Sequence, residues 1–140
     1  MAIKFSQTDS YRRTRRDHAL ETAEDYVEAI AAILTSDGRC RIVDLARRFA
    51  VSHVTVTKII SRLTTEGLVE TQPYRPITLS PTGERMAKMA SDRHETVYRF
   101  LLAIGVDATT ASLDAEGIEH HVSPKTLAKM KQFAASKTTP

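Results

Sequence analysis

The stretch Arg41-Ile42-Val43-Asp44-Leu45-Ala46-Arg47-Arg48-Phe49-Ala50-Val51-Ser52-His53-Val54-Thr55-Val56-Thr57-Lys58-Ile59-Ile60-Ser61-Arg62-Leu63 decides the fold. Its apolar spacing predicts two short amphipathic helices. One runs from about Val43 to Phe49 with Leu45 and Phe49 inward; the next runs from about His53 to Glu66 with Val56, Ile59, Ile60 and Leu63 inward. Ala50-Val51 makes the turn between them, Ser52 supplies the N-cap of the second helix, and Gly67 closes it. On the outer face of that second helix Thr55, Lys58 and Arg62 fall at i, i+3 and i+7, as side chains that enter a major groove must. Thr55 and Lys58 are placed to reach base edges. Ser52 and Thr57, with Arg47 and Arg48 from the preceding helix, suit phosphate. A polar face that is merely solvated is the bland alternative, but residues 39–75 carry seven basic groups against Asp44, Glu66 and Glu70.

Outward from this core, Leu68-Val69-Glu70-Thr71 and Ile77-Thr78-Leu79 alternate apolar and polar around a proline-flanked tip that includes Arg75, which predicts a short hairpin able to reach DNA backbone or minor groove. Upstream, Tyr26, Ile30, Ile33 and Leu34 share one helical face and Gly38 stops that helix. Helix, helix-turn-helix and hairpin in this order is a winged helix, expected over residues 18–80. Ser80-Pro81 and Ser123-Pro124 each pair an N-cap with proline at the first helical position. Residues 81–140 therefore read as three further helices, near 81–104, 109–121 and 124–136. The expected fold is mainly α, a winged helix-turn-helix domain followed by an all-helical dimerisation domain. Met86, Met89, Ala90, Val97, Leu101 and Ile104 form a stripe on a helix too long for a small domain to cover, and this stripe is expected to centre a homodimer interface. Residues 1–17, with Arg12, Arg13, Arg15 and Arg16 and no apolar period, read as a disordered basic arm.

The totals narrow the function. The longest wholly apolar run, Phe100 to Ile104, is far too short to cross a bilayer, so no membrane partner is expected. Cys40 is the only cysteine, which excludes an internal disulfide and a single-chain thiolate cluster and suits a reducing cytoplasm. Residues 18–38 contain Glu21, Glu24, Asp25, Glu28 and Asp37 without one Lys or Arg. Like-charge i,i+4 pairs on a helix cost about 0.2 to 0.5 kcal/mol each, so this block needs an explanation.

A second cluster, Glu116-Gly117-Ile118-Glu119-His120-His121, supplies one. At about 100° per residue Glu116, Glu119 and His120 share a helical face and His121 does not. With His94, carboxylates and imidazoles come from three helices, and that donor set suits Mn or Fe(II). Spacing alone leaves surface ion pairing open as the alternative.

Asp25-Tyr26-Val27-Glu28, Arg93-His94-Glu95 and Ala115-Glu116-Gly117-Ile118-Glu119-His120-His121, with the helix-turn-helix between them, resemble the diphtheria toxin repressor family of metal-dependent repressors over about residues 20–125. The resemblance implies a homodimer and a pair of metal ions per subunit held by Asp25, Glu28, His94, Glu116, Glu119 and His120. It implies palindromic double-stranded operator DNA as partner and repression of manganese uptake genes. Iron-responsive relatives place a sulfur-bearing residue where this chain has Asp25 and Glu116, so Mn2+ is the expected cofactor and Fe2+ the alternative. The chain departs from the family by its longer basic N-terminal segment, and it ends before the third, SH3-like domain of the iron-responsive relatives. Metal bridging residues of both domains would set two recognition helices about 34 Å apart. An enzyme is not expected. A two-metal hydrolase would use the same donors, but the sequence has no His-Glu-x-x-His, nucleophile motif or phosphate loop. A winged-helix regulator of a small apolar ligand is the remaining rival.

Overall fold

The computed structural model describes residues 7–138. The order is α1 (Gln7–Asp37), α2 (Ile42–Phe49), α3 (His53–Thr65), β1 (Val69–Glu70), β2 (Thr78–Leu79), α4 (Pro81–Ala103), α5 (Ala108–Ile118) and α6 (Pro124–Thr138). Contacts divide the chain into two units, Thr22–Met89 and Met1–Glu21 with Ala90–Pro140.

The first unit is the winged helix. Val27 and Ile30 of α1, Leu45 of α2 and Val56 and Leu63 of α3 are wholly buried in one core, and each such side chain contributes about 1.5 to 3 kcal/mol. Tyr26 stacks on Phe49 with ring centroids 4.3 Å apart, which pins α1 to α2. Asp44 accepts the Arg41 N–H at 2.8 Å to start α2, and Ala50 in the left-handed conformation (φ 53) ends it. Ser52 caps α3 by accepting the Thr55 N–H at 3.1 Å. Gly38 (φ 81) and Gly67 (φ 77) follow α1 and α3 in the left-handed region that glycine enters without penalty. The wing is shorter than its alternation suggests, an antiparallel pair in register Val69↔Leu79 and Glu70↔Thr78. Its core side is extended by Cys40, whose carbonyl accepts the Ile77 N–H at 2.8 Å.

The contact boundary falls at Met89/Ala90, inside α4, because Ala87 and Met86 pack into the winged-helix core.

The second unit is helical. Val97 and Leu101 of α4 meet Ala111 and Ala115 of α5, and Leu127 and Met130 of α6 pack against that cluster. Phe100 and Phe133 meet edge to face at 5.7 Å. These contacts correct the dimer expectation. Val97 and Leu101 are 0% and 8% exposed within a single chain, so the middle of the stripe covers α5 rather than a partner. Met89 and Ile104, by contrast, are exposed. A helix stripe records that a face is buried, not by which chain.

The disordered arm is also corrected. Residues 7–17 are helical and continuous with α1, whereas residues 1–6 lie outside the described residues. Neither proline nor glycine occurs from Gln7 to Asp37, and the buried face from Ala23 to Ile33 holds a helix that has already paid for nucleation. Propagation then adds one hydrogen bond per residue without tertiary support. Arg13 and Asp17 add an exposed i,i+4 pair at 3.9 Å.

Asp107 caps α5, the helix that carries Glu116, by accepting the Thr110 N–H at 3.0 Å. That backbone hydrogen bond, with one from the Thr110 side chain, holds the Asp107 carboxyl below its usual range. A depressed folded-state value means stabilisation that is present above the unfolded value and lost as pH falls through the folded one. Asp107→Ala should therefore lower the thermal midpoint of the metal-free chain at neutral pH. The gap to wild type should close below the ordinary carboxylate range, and a gap that stays constant with pH would mean the cap is not the cause.

Candidate functional site

Two sets of exposed or clustered polar groups stand out, one in each unit. In the winged helix, Arg47 and Arg48 leave α2 exposed, and Thr55, Thr57 and Lys58 line the open face of α3. Four of the expected residues already have local partners. The Ser52 and Thr55 hydroxyls lie 3.0 Å apart, the Thr57 hydroxyl donates to the His53 carbonyl at 2.8 Å, and Arg62 pairs with Glu66 at 3.4 Å. Lys58 and the two arginines are the charges presented outward. Arg75 is exposed at the wing tip beside Tyr74, which is fully exposed at φ 62. Val54, missed by the sequence argument, is 63% exposed at the start of α3. Its signal was an apolar residue outside the Val56-Ile60-Leu63 stripe, suited to a thymine methyl.

In the helical unit, burial of Ala111 and Ala115 brings α5 close to α4, and Glu119, four residues beyond Ala115, follows them inward to 1% exposure. His94 waits there, three residues before Val97 on α4. Its Nδ1 lies 3.1 Å from Glu119 Oε2 and 3.6 Å from Glu116 Oε1. His120 Nε2 lies 3.3 Å from Glu119 Oε1, and its side chain is 3% exposed. Donor atoms of His94, Glu116 and Glu119 all fall within 4.8 Å of one another. The His94 Nδ1 is buried and makes no hydrogen bond, although two carboxylates flank it. A buried ring nitrogen flanked by carboxylate oxygens and making no hydrogen bond is a donor arrangement that a cation would satisfy, so the residues fit a metal. Four expected donors are thus brought together. Asp25 and Glu28 stand half-buried three residues apart on α1, in the winged-helix unit. Cys40 offers no rival donor: it is buried under the wing, where burial and the Asp44 charge push its thiol up to about 11.

His121, which has no helical ligand partner in the sequence, has its Nε2 3.4 Å from Glu21 Oε2. That pair joins residues 100 positions apart, and no local spacing could have revealed it.

A winged-helix unit with a cationic reading face, joined to a helical unit with a carboxylate–imidazole cluster, defines a DNA-binding regulator with a metal site. Family models bear this out: residues 18–77 match "Iron dependent repressor, N-terminal DNA binding domain" and residues 80–139 match "Iron dependent repressor, metal binding and dimerisation domain". The chain belongs to this family, that of the diphtheria toxin repressor. Among its curated relatives, the transcriptional regulator MntR of Escherichia coli O157:H7 is 42% identical over 89% of this chain and 81% of its own length. The regulator MntR of Lysinibacillus sphaericus is 39% identical over 71% and 72%. Among solved structures, a manganese-dependent transcriptional repressor in complex with manganese aligns at TM-score 0.73 and 29% identity, over 81% of this chain. The chain spans about half the length of that solved chain, 52%.

Proposed function

We propose that this chain is a cytoplasmic, homodimeric, manganese-responsive transcriptional repressor that acts on a palindromic operator controlling metal uptake. The carrying observation is the constellation of His94, Glu116, Glu119 and His120, closed around the buried Glu119 and open at Glu116, which offers oxygen and nitrogen donors and no sulfur. Such donors accept manganese, which sites of mixed or softer chemistry hold weakly. With Asp25 and Glu28 added, six residues would hold two ions per subunit. Relatives that are transcriptional regulators, one solved as a manganese complex, support the reading. Bound Mn2+ would supply the positive charge that lets these carboxylates share one site. The residues draw on both units, so occupancy would bias how the winged helices are presented, and operator DNA must tighten metal binding by the same factor. Exposed Leu102, Ile104, Leu113 and Phe133 of the helical unit are apolar surface available to the second copy. Among the described residues no helix is long and apolar enough to cross a membrane.

The test is operator binding titrated with Mn2+, anaerobic Fe2+, Zn2+ and chelator. Activation by Mn2+ and its loss in chelator are expected, and binding indifferent to chelator would overturn the reading.

On the DNA side, Thr55→Ala and Lys58→Ala should each lose about 1 to 3 kcal/mol of operator binding while Mn2+ binding is unchanged. An equal loss on random DNA would reassign the residue to phosphate.

Metal choice gives a further check. Asp25→Met with Glu116→Cys replaces hard donors by sulfur and should lower Mn-activated operator binding relative to Fe2+ or Co2+. Measured as a ratio between metals at matched free concentration, a general loss of stability cancels. An unchanged ratio would place metal choice elsewhere in the site.

A further inference from the structure

Glu21 lies outside the six donors named above, yet the structure sets it beside one of them, His120. Its carboxylate is 30% exposed, its Oε2 is 3.4 Å from His121 Nε2, and one of its oxygens comes within 4.8 Å of a ring nitrogen of His120. It precedes Asp25 by four residues on α1, so the two carboxylates rise from the same helical face one turn apart. Like charges at this spacing are unfavourable on an isolated helix, and a cation between them would reverse the sign. His121 is 47% exposed and directed to Glu21, whereas His120 is buried against Glu119. Consecutive histidines at the end of α5 thus face different carboxylates.

We propose that Glu21 is a seventh donor of the metal centre, sharing an ion with His120, and that His121 holds the Glu21 carboxylate in place from outside. The inference rests on the reading of this chain as a manganese-binding protein. A supporting hydrogen bond to a ligating carboxylate restricts its rotamers and orients its second oxygen, and outer partners of this kind are worth about 10- to 100-fold in metal affinity. A direct donor is worth at least as much. Glu21 adds negative charge and oxygen character, both of which favour a hard divalent ion.

The experiment is an Mn2+ titration of the metal-free full chain, with free Mn2+ followed by its EPR signal, for wild type, Glu21→Gln and His121→Gln. Glu21→Gln should weaken at least one bound ion by tenfold or more, and His121→Gln should weaken the same ion by less. The thermal midpoint of metal-free Glu21→Gln should match wild type, while the rise in midpoint on adding Mn2+ should shrink. Wild-type affinity for every ion in Glu21→Gln would overturn the proposal. So would an equal fall in midpoint with and without metal, since that marks a clamp rather than a donor. Wild type that binds no Mn2+ would instead sink the functional reading on which the proposal rests.

Discussion

Glu119→Ala is expected to abolish Mn-activated operator binding while lowering the stability of the metal-free chain without dissolving the dimer. The two halves of that expectation come from the same burial. Glu119 is 1% exposed, held between His94 Nδ1 at 3.1 Å and His120 Nε2 at 3.3 Å, so its two oxygens face two imidazoles in a space closed to water. A buried carboxylate carries a desolvation cost of several kcal/mol that good pairing offsets, and taking away one partner of such a pair is destabilising because the other is left uncompensated. Without metal, then, Glu119→Ala breaks the contacts to His94 and His120 and leaves a cavity. With metal, the centre loses the donor that touches both histidines, and the loss in affinity should exceed the roughly 10- to 100-fold of an outer partner.

The thermal shift on adding metal reads this directly. Ligand at about 100 times its dissociation constant stabilises a protein by about 2.7 kcal/mol. Wild type should show that increment and Glu119→Ala should not. His94→Ala should behave alike in metal response, since the unbonded Nδ1 of His94 is the other half of the contact. Sedimentation should show both variants as dimers, because Glu119 is covered by its own chain and contributes nothing to an outer surface. A Glu119→Ala chain that keeps its Mn-induced thermal shift would remove this residue from the metal centre, and monomers would show that the site and the interface are one structure.

Much of this was legible in sequence where a single residue dictates local geometry. Ser52 before an apolar period, Gly38 and Gly67 after one, and Pro81 and Pro124 behind serines each leave the backbone few alternatives, and α3, α4 and α6 begin, and α1 and α3 end, within two residues of those marks. The inward turn of Glu119 was legible too, since its spacing from Ala115 and Ala111 is helical. What escaped has non-local causes. Val97 and Leu101 announce a buried face, but whether α5 or a second chain buries it depends on where a loop returns. The extension of α1 through Arg12 to Arg16 depends on nucleation downstream, so a window limited to those residues sees only polarity. The Glu21–His121 contact depends on folding across the whole chain.

Gly83 escaped as well, and Gly83→Ala carries the second large expectation. In the first turn of an exposed helix this change would ordinarily stabilise by up to about 1 kcal/mol, since alanine is the best helix former and glycine among the worst. Here a Cβ would stand 2.0 Å from the Leu68 carbonyl oxygen, 3.0 Å from its carbon and 3.3 Å from Leu79 Cδ2. The obstacle is backbone, and that backbone is engaged: the same Leu68 oxygen accepts the Ser80 N–H at 3.1 Å. Ser80 in turn donates its hydroxyl to the Gly67 carbonyl at 2.6 Å and accepts the Gly83 N–H at 3.0 Å. The exit of α3, the first residue of the wing and the start of α4 are therefore stitched by one serine, with Gly83 as the position that lets them close. Moving Leu68 aside would break the Ser80 bonds and disturb the Val69↔Leu79 pair. Overpacking of this kind costs about 1 to 3 kcal/mol, more where the backbone cannot yield. A cost near 3 kcal/mol in a unit of this size corresponds to a fall of about 12 to 24 °C in thermal midpoint. Ser80→Ala, which removes the cap but adds no atoms, should cost about 1 to 2 kcal/mol. Melting curves of the metal-free chain should thus rank wild type above Ser80→Ala above Gly83→Ala. A neutral or stabilised Gly83→Ala would show that α4 does not approach Leu68 this closely.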